Sequence, residues 1–272
     1  MPKYGYMISE SFGYYIKNIS KDINDQKDFE NTVSVLKELG YNGVVIPLMF
    51  NMDVLVNRVK EIMARYQMDI SGLSTDHYYS HLNYYLTNSN SAIKARALDI
   101  MMSGLSVADI FSAPLIIGLI RGKNTVDEKS NIWLHAALKI LDKKAKDLGV
   151  EVLIEPINHY ETSYVTTVSE AYNLIGRLGL IKTGILVNSY HMNIEEGNYE
   201  QSIDYAKDRI WHVKLSDNNR QPPGSGHIDF SSIIGALKKI EYNGWYSIEC
   251  FPKSNQQDVA ALSINFLKQM VK

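Results

Sequence analysis

Cysteine is almost absent from the chain, long apolar runs are missing, and neither sign of charge is in excess; each shortage removes a class of protein. Cys250 is the single cysteine in 272 residues. One thiol excludes an internal disulfide framework and a zinc site built on thiolates, and it fits a reducing compartment. No run approaches the roughly 18 apolar residues that a membrane span requires. The opening MPKYGYMISESFGYY has no apolar core of a secretory signal, so a cytoplasmic protein with no membrane partner is expected. With 28 Lys and Arg against 30 Asp and Glu, no basic stripe is available to displace counterions from phosphates, and no nucleic-acid partner is expected. No G-x-G-x-x-G or P-loop pattern follows the first apolar run, which weighs against an open nucleotide-binding sheet.

What is present is a rhythm. Short β-branched runs recur at KYGYMI, YNGVVIPL (41–48), MDISGLS (68–74), APLIIGLI (113–120), VEVLIEPI (150–157), TGILVNSY (183–190), RIWHVKLSD (209–217) and GWYSIECF (244–251). Helical patterns lie between them. In FENTVSVLKELG, Phe29, Val33, Leu36 and Leu39 fall on one helical face. WLHAALKILDKKAKDLG ends on Gly149, a residue that stops helices by entering the left-handed region. A last helix is expected from about Gln256. Eight strand–helix units without a linker or low-complexity run predict an α/β fold, a single-domain (β/α)8 TIM barrel spanning residues 1–272.

Barrels of this type place their chemistry at the C-terminal ends of the strands, and the polar residues of this chain collect there. Run five ends in IEPINHYE, with Glu155 and Glu161. Run six gives Asn188, followed by a polar loop with His191. Run seven gives His212, Lys214 and Ser216 on one face at period two, and run eight gives Glu249. A carboxylate on an apolar strand costs several kcal/mol to desolvate unless donors meet it, so Glu155 and Glu249 require something positive between them. His77 and His81, in STDHYYSH, follow run three; His77 is kept as a mouth-lining candidate. Arg121 and Lys123 in GLIRGK read as a solvated loop rather than an anion site. His135 and His159 carry no positional argument, and His227 reads as a loop-stabilising residue.

The segments IEPINHYE, SYHMNIEE, HVKLSDNNRQPPGSGHIDF and YSIECF, in this order and spacing, resemble the xylose isomerase-like sugar (phosphate) isomerases and epimerases. The likeness is nearest to the ketose 3-epimerases of the D-tagatose 3-epimerase type and to hydroxypyruvate isomerase. The resemblance implies a divalent ion held by Glu, Asp, His and Glu, with the two glutamates moving a proton on and off carbon through an enediolate. Carried over by position, the glutamates fall on Glu155 and Glu249. The substrate-binding positions fall on Glu161, His191 and Arg220, and His212, at an inward position where some members carry a further histidine, is expected to contact the substrate as well.

Two ligand positions depart from that pattern. The family's Asp falls on Asn188, and its strand-seven His, six residues before the Arg, falls on Lys214. A protonated lysine has three donors and no lone pair, so it cannot ligate a metal. The paired exchange predicts that the Lys214 ammonium sits near the metal's place, pairs with both glutamates, and polarises a substrate carbonyl or steadies an enediolate oxyanion. Glu155, Glu249 and Lys214 are then the catalytic set. The cofactor is none or a weakly held divalent metal (Mn, Mg or Co) on Glu155 and Glu249 alone. The expected partner is a small sugar, sugar phosphate or keto acid, and association into a homo-oligomer is left open. A catalytically degenerate sugar-binding barrel and a lyase or dehydratase on the same scaffold are the alternatives.

Overall fold

In the computed structural model, which describes residues 1–8, 23–48, 52–123, 128–251 and 256–271, eight strands pair in chain order and close. They are β1 (Lys3–Met7), β2 (Gly43–Pro47), β3 (Asp69–Ser74), β4 (Leu115–Ile117), β5 (Val152–Ile154), β6 (Thr183–Asn188), β7 (Ile210–Leu215) and β8 (Trp245–Ile248). Every pairing is parallel, and β8 pairs back onto β1 with Tyr4 opposite Tyr246. The helices are α1 (Ile23–Leu39), α2 (Met52–Tyr66), α3 (Asp76–Leu82), α4 (Ser91–Phe111), α5 (Glu128–Leu148), α6 (Val168–Leu178), α7 (Ser189–Glu195), α8 (Tyr199–Tyr205), α9 (Phe230–Lys239) and α10 (Gln256–Met270). The expected TIM barrel is the fold.

Two apolar layers hold it together. Alternate strand residues Val45, Ile116, Leu153 and Leu186, with Met7, fill the barrel interior. The other set, including Val44, Ile117, Ile185 and Val213, joins the helices in a larger outer layer. Strands buried on both faces explain why the sequence shows continuous apolar runs instead of alternation. Polar anchors finish the loops. Asp142 on α5 accepts from Ile181 N, Lys182 N and Thr183 Oγ1 at 2.7–3.0 Å, which sets the start of β6. Gly149 ends the turn after α5 with φ of 77°.

Three strands, β4, β5 and β8, stop well short of the ends of their apolar runs. β5 ends at Ile154 because Pro156 has no N–H for the ladder, and β4 turns into a 3-10 segment, Leu119–Arg121. Glu155 and Glu249 therefore stand one residue beyond their strands, although Glu155 N still reaches Ile117 O at 3.1 Å and Glu249 N reaches Leu215 O at 3.1 Å. The segments after runs three and six, expected as loops, are the short helices α3 and α7. Asn188 starts α7 by accepting Tyr190 N on its Oδ1 at 3.1 Å, which satisfies one of the orphan donors of a helix N-terminus.

Candidate active site

β6 and β7 set Asn188 directly opposite Lys214 in their register, and both side chains point into the barrel mouth between Glu155 and Glu249. The four close into a ring. Lys214 Nζ donates to Glu155 Oε2 at 2.8 Å and to Glu249 Oε1 at 2.9 Å. Asn188 Nδ2 donates to Glu155 Oε1 at 2.8 Å and to Glu249 Oε2 at 2.7 Å. Each carboxylate thus has a donor on both oxygens. This is what two buried acids need, since an unpaired buried charge is costly.

The ring is asymmetric. Burial, with the Glu249 and Asp76 carboxylates adding to it against the pull of Lys214, raises the Glu155 carboxyl to about 7. Glu249 is buried as well, yet Lys214 and Arg220 outweigh that and hold it down at about 2. Lys214 has no exposed side-chain surface; burial opposes its charge, but the two glutamates overcome it and raise its pKa. It is an ammonium. The expectation that this ammonium touches the substrate carbonyl is corrected: it lies beneath the carboxylates and does not line the cavity.

Arg220 and His191 form the next tier. Arg220 Nη1 donates to Glu249 Oε2 at 2.9 Å, and its guanidinium lies over the Tyr190 ring at 3.8 Å and the Phe251 ring at 5.2 Å. Its φ of 59° is unusual for a residue with a Cβ and marks backbone held in place by its surroundings. Asp217 supplies that hold. Its carboxylate accepts from the backbone N–H of Asn218, Gly224, Gly226 and Ile228 at 2.8–3.2 Å, and Arg220 N bonds Asp217 O at 2.9 Å. His191 Nδ1 takes Asn158 Nδ2 at 2.8 Å, which assigns the ring proton to Nε2. Burial and Arg220 push its pKa well below the usual value, keeping it neutral. Its Nε2 lies 3.4 Å from Arg220 Nη2. Both residues line the cavity, where each can turn an N–H to a substrate oxygen.

A cavity of about 480 Å³ opens at this mouth, with Glu155, Glu249, His191 and Arg220 on one side and Asp76 and His77 on the other. Glu161, on the rim, accepts from Asn158 Nδ2 at 3.1 Å and lies 4.0 Å from Arg220. His212 is fully buried, does not line the cavity, and its Nε2 pairs with Ser247 Oγ at 2.8 Å. It sits one inward step below Lys214, so its expected substrate contact is corrected to a place under the floor. Burial and Lys214 hold its pKa down at about 3, so it is neutral.

Arg121 is also not the solvated loop residue that the sequence suggests. It is 2% exposed, and its guanidinium donates to the carbonyls of Tyr164, Gly118, Glu155 and Val165 at 2.8–3.1 Å. It ties the end of β4 to the residue that carries the Glu155 side chain. Lys123 is exposed. His135 pairs with Tyr164 Oη at 2.6 Å on the outer face, His159 with Glu195 at 2.5 Å, and His227 N with Asn218 at 3.1 Å. The sequence pattern did not single out Asn158 or Asp76. Asn158 lies inside IEPINHYE, three residues from each of two acids, and that placement was the available signal.

The donor set does not fit a divalent ion. Lys214 offers no lone pair, the Asn188 amide oxygen is turned to Tyr190 N, and among the described residues no three His, Cys, Asp or Glu side chains gather around a common point. The scaffold nevertheless has clear kin. A family model described as xylose isomerase-like TIM barrel matches residues 33–270. The chain belongs to that family. It is 26% identical over 260 residues to an L-ribulose 3-epimerase of Methylomonas sp. (strain DH-1), covering 85% of this chain and 87% of that one. A 3-dehydro-D-guloside 4-epimerase of Escherichia coli (strain K12) is 34% identical over 113 residues, 42% of this chain and 43% of its own. Among solved structures, D-allulose 3-epimerase from Methylomonas sp. in complex with D-allulose superposes with a TM-score of 0.83 at 22% identity, over 99% of this chain and 97% of that one. These relatives are isomerases, and the chain is an enzyme of that class. No helix among the described residues is long and apolar enough to cross a membrane.

Proposed function

We propose that the chain, as one barrel domain over residues 1–272, epimerises or isomerises a ketose by moving a proton beside its carbonyl, with Glu155 and Glu249 as the acid–base pair and no metal. The observation that supports this reading is the closed ring of Glu155, Asn188, Glu249 and Lys214, in which an ammonium and an amide take the places of two metal ligands. Glu249, ionised, takes the proton from the carbon next to the carbonyl. The C–H electron pair becomes the C=C bond and the carbonyl π pair moves to oxygen, where His191 Nε2–H and Arg220 Nη2–H receive the charge. Glu155, raised to about 7, returns a proton to the opposite face, and the enediolate collapses to the epimeric ketone. Lys214 keeps the two carboxylates fixed and balances their charge.

The cavity wall supports an uncharged sugar over a sugar phosphate or keto acid. Asp76, Glu155, Glu161 and Glu249 face it together, and Arg220 already carries Glu249. The test combines solvent exchange with metal analysis. Purified enzyme incubated with free ketoses in deuterated water incorporates deuterium beside the carbonyl at a rate that chelator leaves unchanged, and elemental analysis finds no stoichiometric metal. Tight metal at Glu155 and Glu249, or exchange abolished by chelator, overturns the metal-free mechanism. Borohydride leaves no adduct on Lys214, because an ammonium between two carboxylates is not a nucleophile. Binding without exchange for every ketose instead supports a degenerate sugar-binding barrel.

A further inference from the structure

β3 lies across the barrel from β7 in the closed strand order, and the chain leaving β3 brings Asp76 to the cavity wall facing the glutamate ring. Its carboxylate is built in. Leu119 N donates to Oδ1 at 2.7 Å, and Ser74 Oγ donates to Oδ2 at 3.2 Å. Gly118 makes the room: a methyl group on that residue would run into the Asp76 carboxylate, so a glycine at the end of β4 lets the acid lie against the backbone. Each carboxylate oxygen can accept about two hydrogen bonds, and one on each is used. Spare acceptor capacity therefore lines the cavity, on a side chain that is only half-buried. No cation forms a salt bridge with it among the described ion pairs. A carboxylate held this firmly without a cation partner is suited to neutral donors, and a polyhydroxylated sugar is made of them.

We propose that Asp76 is a specificity-determining substrate residue, accepting a hydrogen bond from a hydroxyl of the ketose remote from the reacting carbon. The inference rests on the ketose reading above and deepens it. It places the reacting end of the sugar at Glu155 and Glu249 and the distal end at Asp76. A hydroxyl bound to an ionised acceptor is a strong contact, so a substrate lacking it is discriminated against, whereas the wall offers an anionic group no attraction.

The experiment measures binding and reaction separately. Calorimetry compares wild type, Asp76→Asn and Gly118→Ala on D-fructose, D-tagatose and D-allulose and on the 4-, 5- and 6-deoxy forms of the tightest of them. Wild type is expected to lose affinity for one deoxy form by about 10- to 100-fold, the size of a hydrogen bond to a charged group. Asp76→Asn keeps an acceptor for Leu119 N, so the fold is retained. This variant binds the intact and that deoxy ketose alike. Gly118→Ala, which displaces the carboxylate without removing it, is expected to blunt the same discrimination. A variant at Asp76 that keeps the wild-type ratio between intact and deoxy sugars overturns the proposal, as does a wild type that binds no ketose or does not distinguish the deoxy forms. Deuterium uptake distinguishes the two readings: binding that depends on Asp76 with no exchange leaves this subsite standing and removes the proposed reaction.

Discussion

On the β5–β8 side of the mouth, Glu155, Asn188, Lys214 and Glu249 meet in four hydrogen bonds of 2.7–2.9 Å, and three of these residues are 2% exposed or less. On the β1–β4 side, Asp76 and His77 sit on the short helix α3 and are half-buried, beside Met7 and Pro47. The first side is anchored at strand ends, where the ladder holds each backbone. The second hangs on a seven-residue helix outside the ladder. Proton transfer tolerates little misplacement of its groups, whereas recognition of a flexible polyol tolerates more. The half set in the ladder is suited to chemistry and the half beyond it to selection.

The sharpest way to break this comparison is to neutralise the ring. Glu249→Gln or Glu155→Gln is expected to slow deuterium exchange by about 100- to 10,000-fold, followed by NMR of the ketose; a variant with near wild-type exchange removes that residue from the acid–base pair. Next is Lys214→Met, which leaves two carboxylates facing each other without their cation. Urea unfolding should show a loss of about 3–5 kcal/mol, and a stability equal to wild type means the ammonium does not hold the ring. The third change reverses the paired exchange. Asn188→Asp combined with Lys214→His restores four oxygen and nitrogen ligands, and titration with Mn2+ or Co2+ should give one bound ion per chain where wild type gives none.

The pH profile gives a smaller effect. Glu155 holds its proton below about 7 and loses it above, so kcat/KM is expected to fall as pH rises through that value if the acid form donates. Glu249, held at about 2, contributes no limb near neutrality. Stability follows with matching sign: a carboxyl whose pKa is raised by folding stabilises the fold fully below its unfolded pKa, and that contribution is lost as pH rises through about 7. The smallest effect is expected from His77→Ala, which should change kcat/KM less than Asp76→Asn. A larger effect would move the centre of recognition along α3.

Much of this site was legible because its residues sit at regular places in a repeating pattern. Glu155 and Glu249 stand out as acids at the ends of apolar runs, and Asn188 and Lys214 stand out against the motif that the surrounding segments resemble. Arg121 was misread because its partners are backbone carbonyls, which leave no trace in side-chain identity. His212 was misplaced by one layer, since period two gives the face of a strand but not the depth of the cavity above it. Asp76 was passed over beside His77, its contacts with Leu119 N and Ser74 Oγ being set by how β3 and β4 end.

Local pattern by itself determined the eight strands, the longer helices between them and the two buried acids, because short apolar runs and spacing at 3.6 residues are properties of neighbouring positions. The ring is different in kind. Its four bonds join residues 33, 35, 59 and 61 positions apart, and only closure of the barrel brings donor and acceptor within reach. Tertiary structure therefore decided that Asn188 gives both amide hydrogens to the glutamates, that Lys214 is sealed beneath them, and that Asp76 faces them across the cavity.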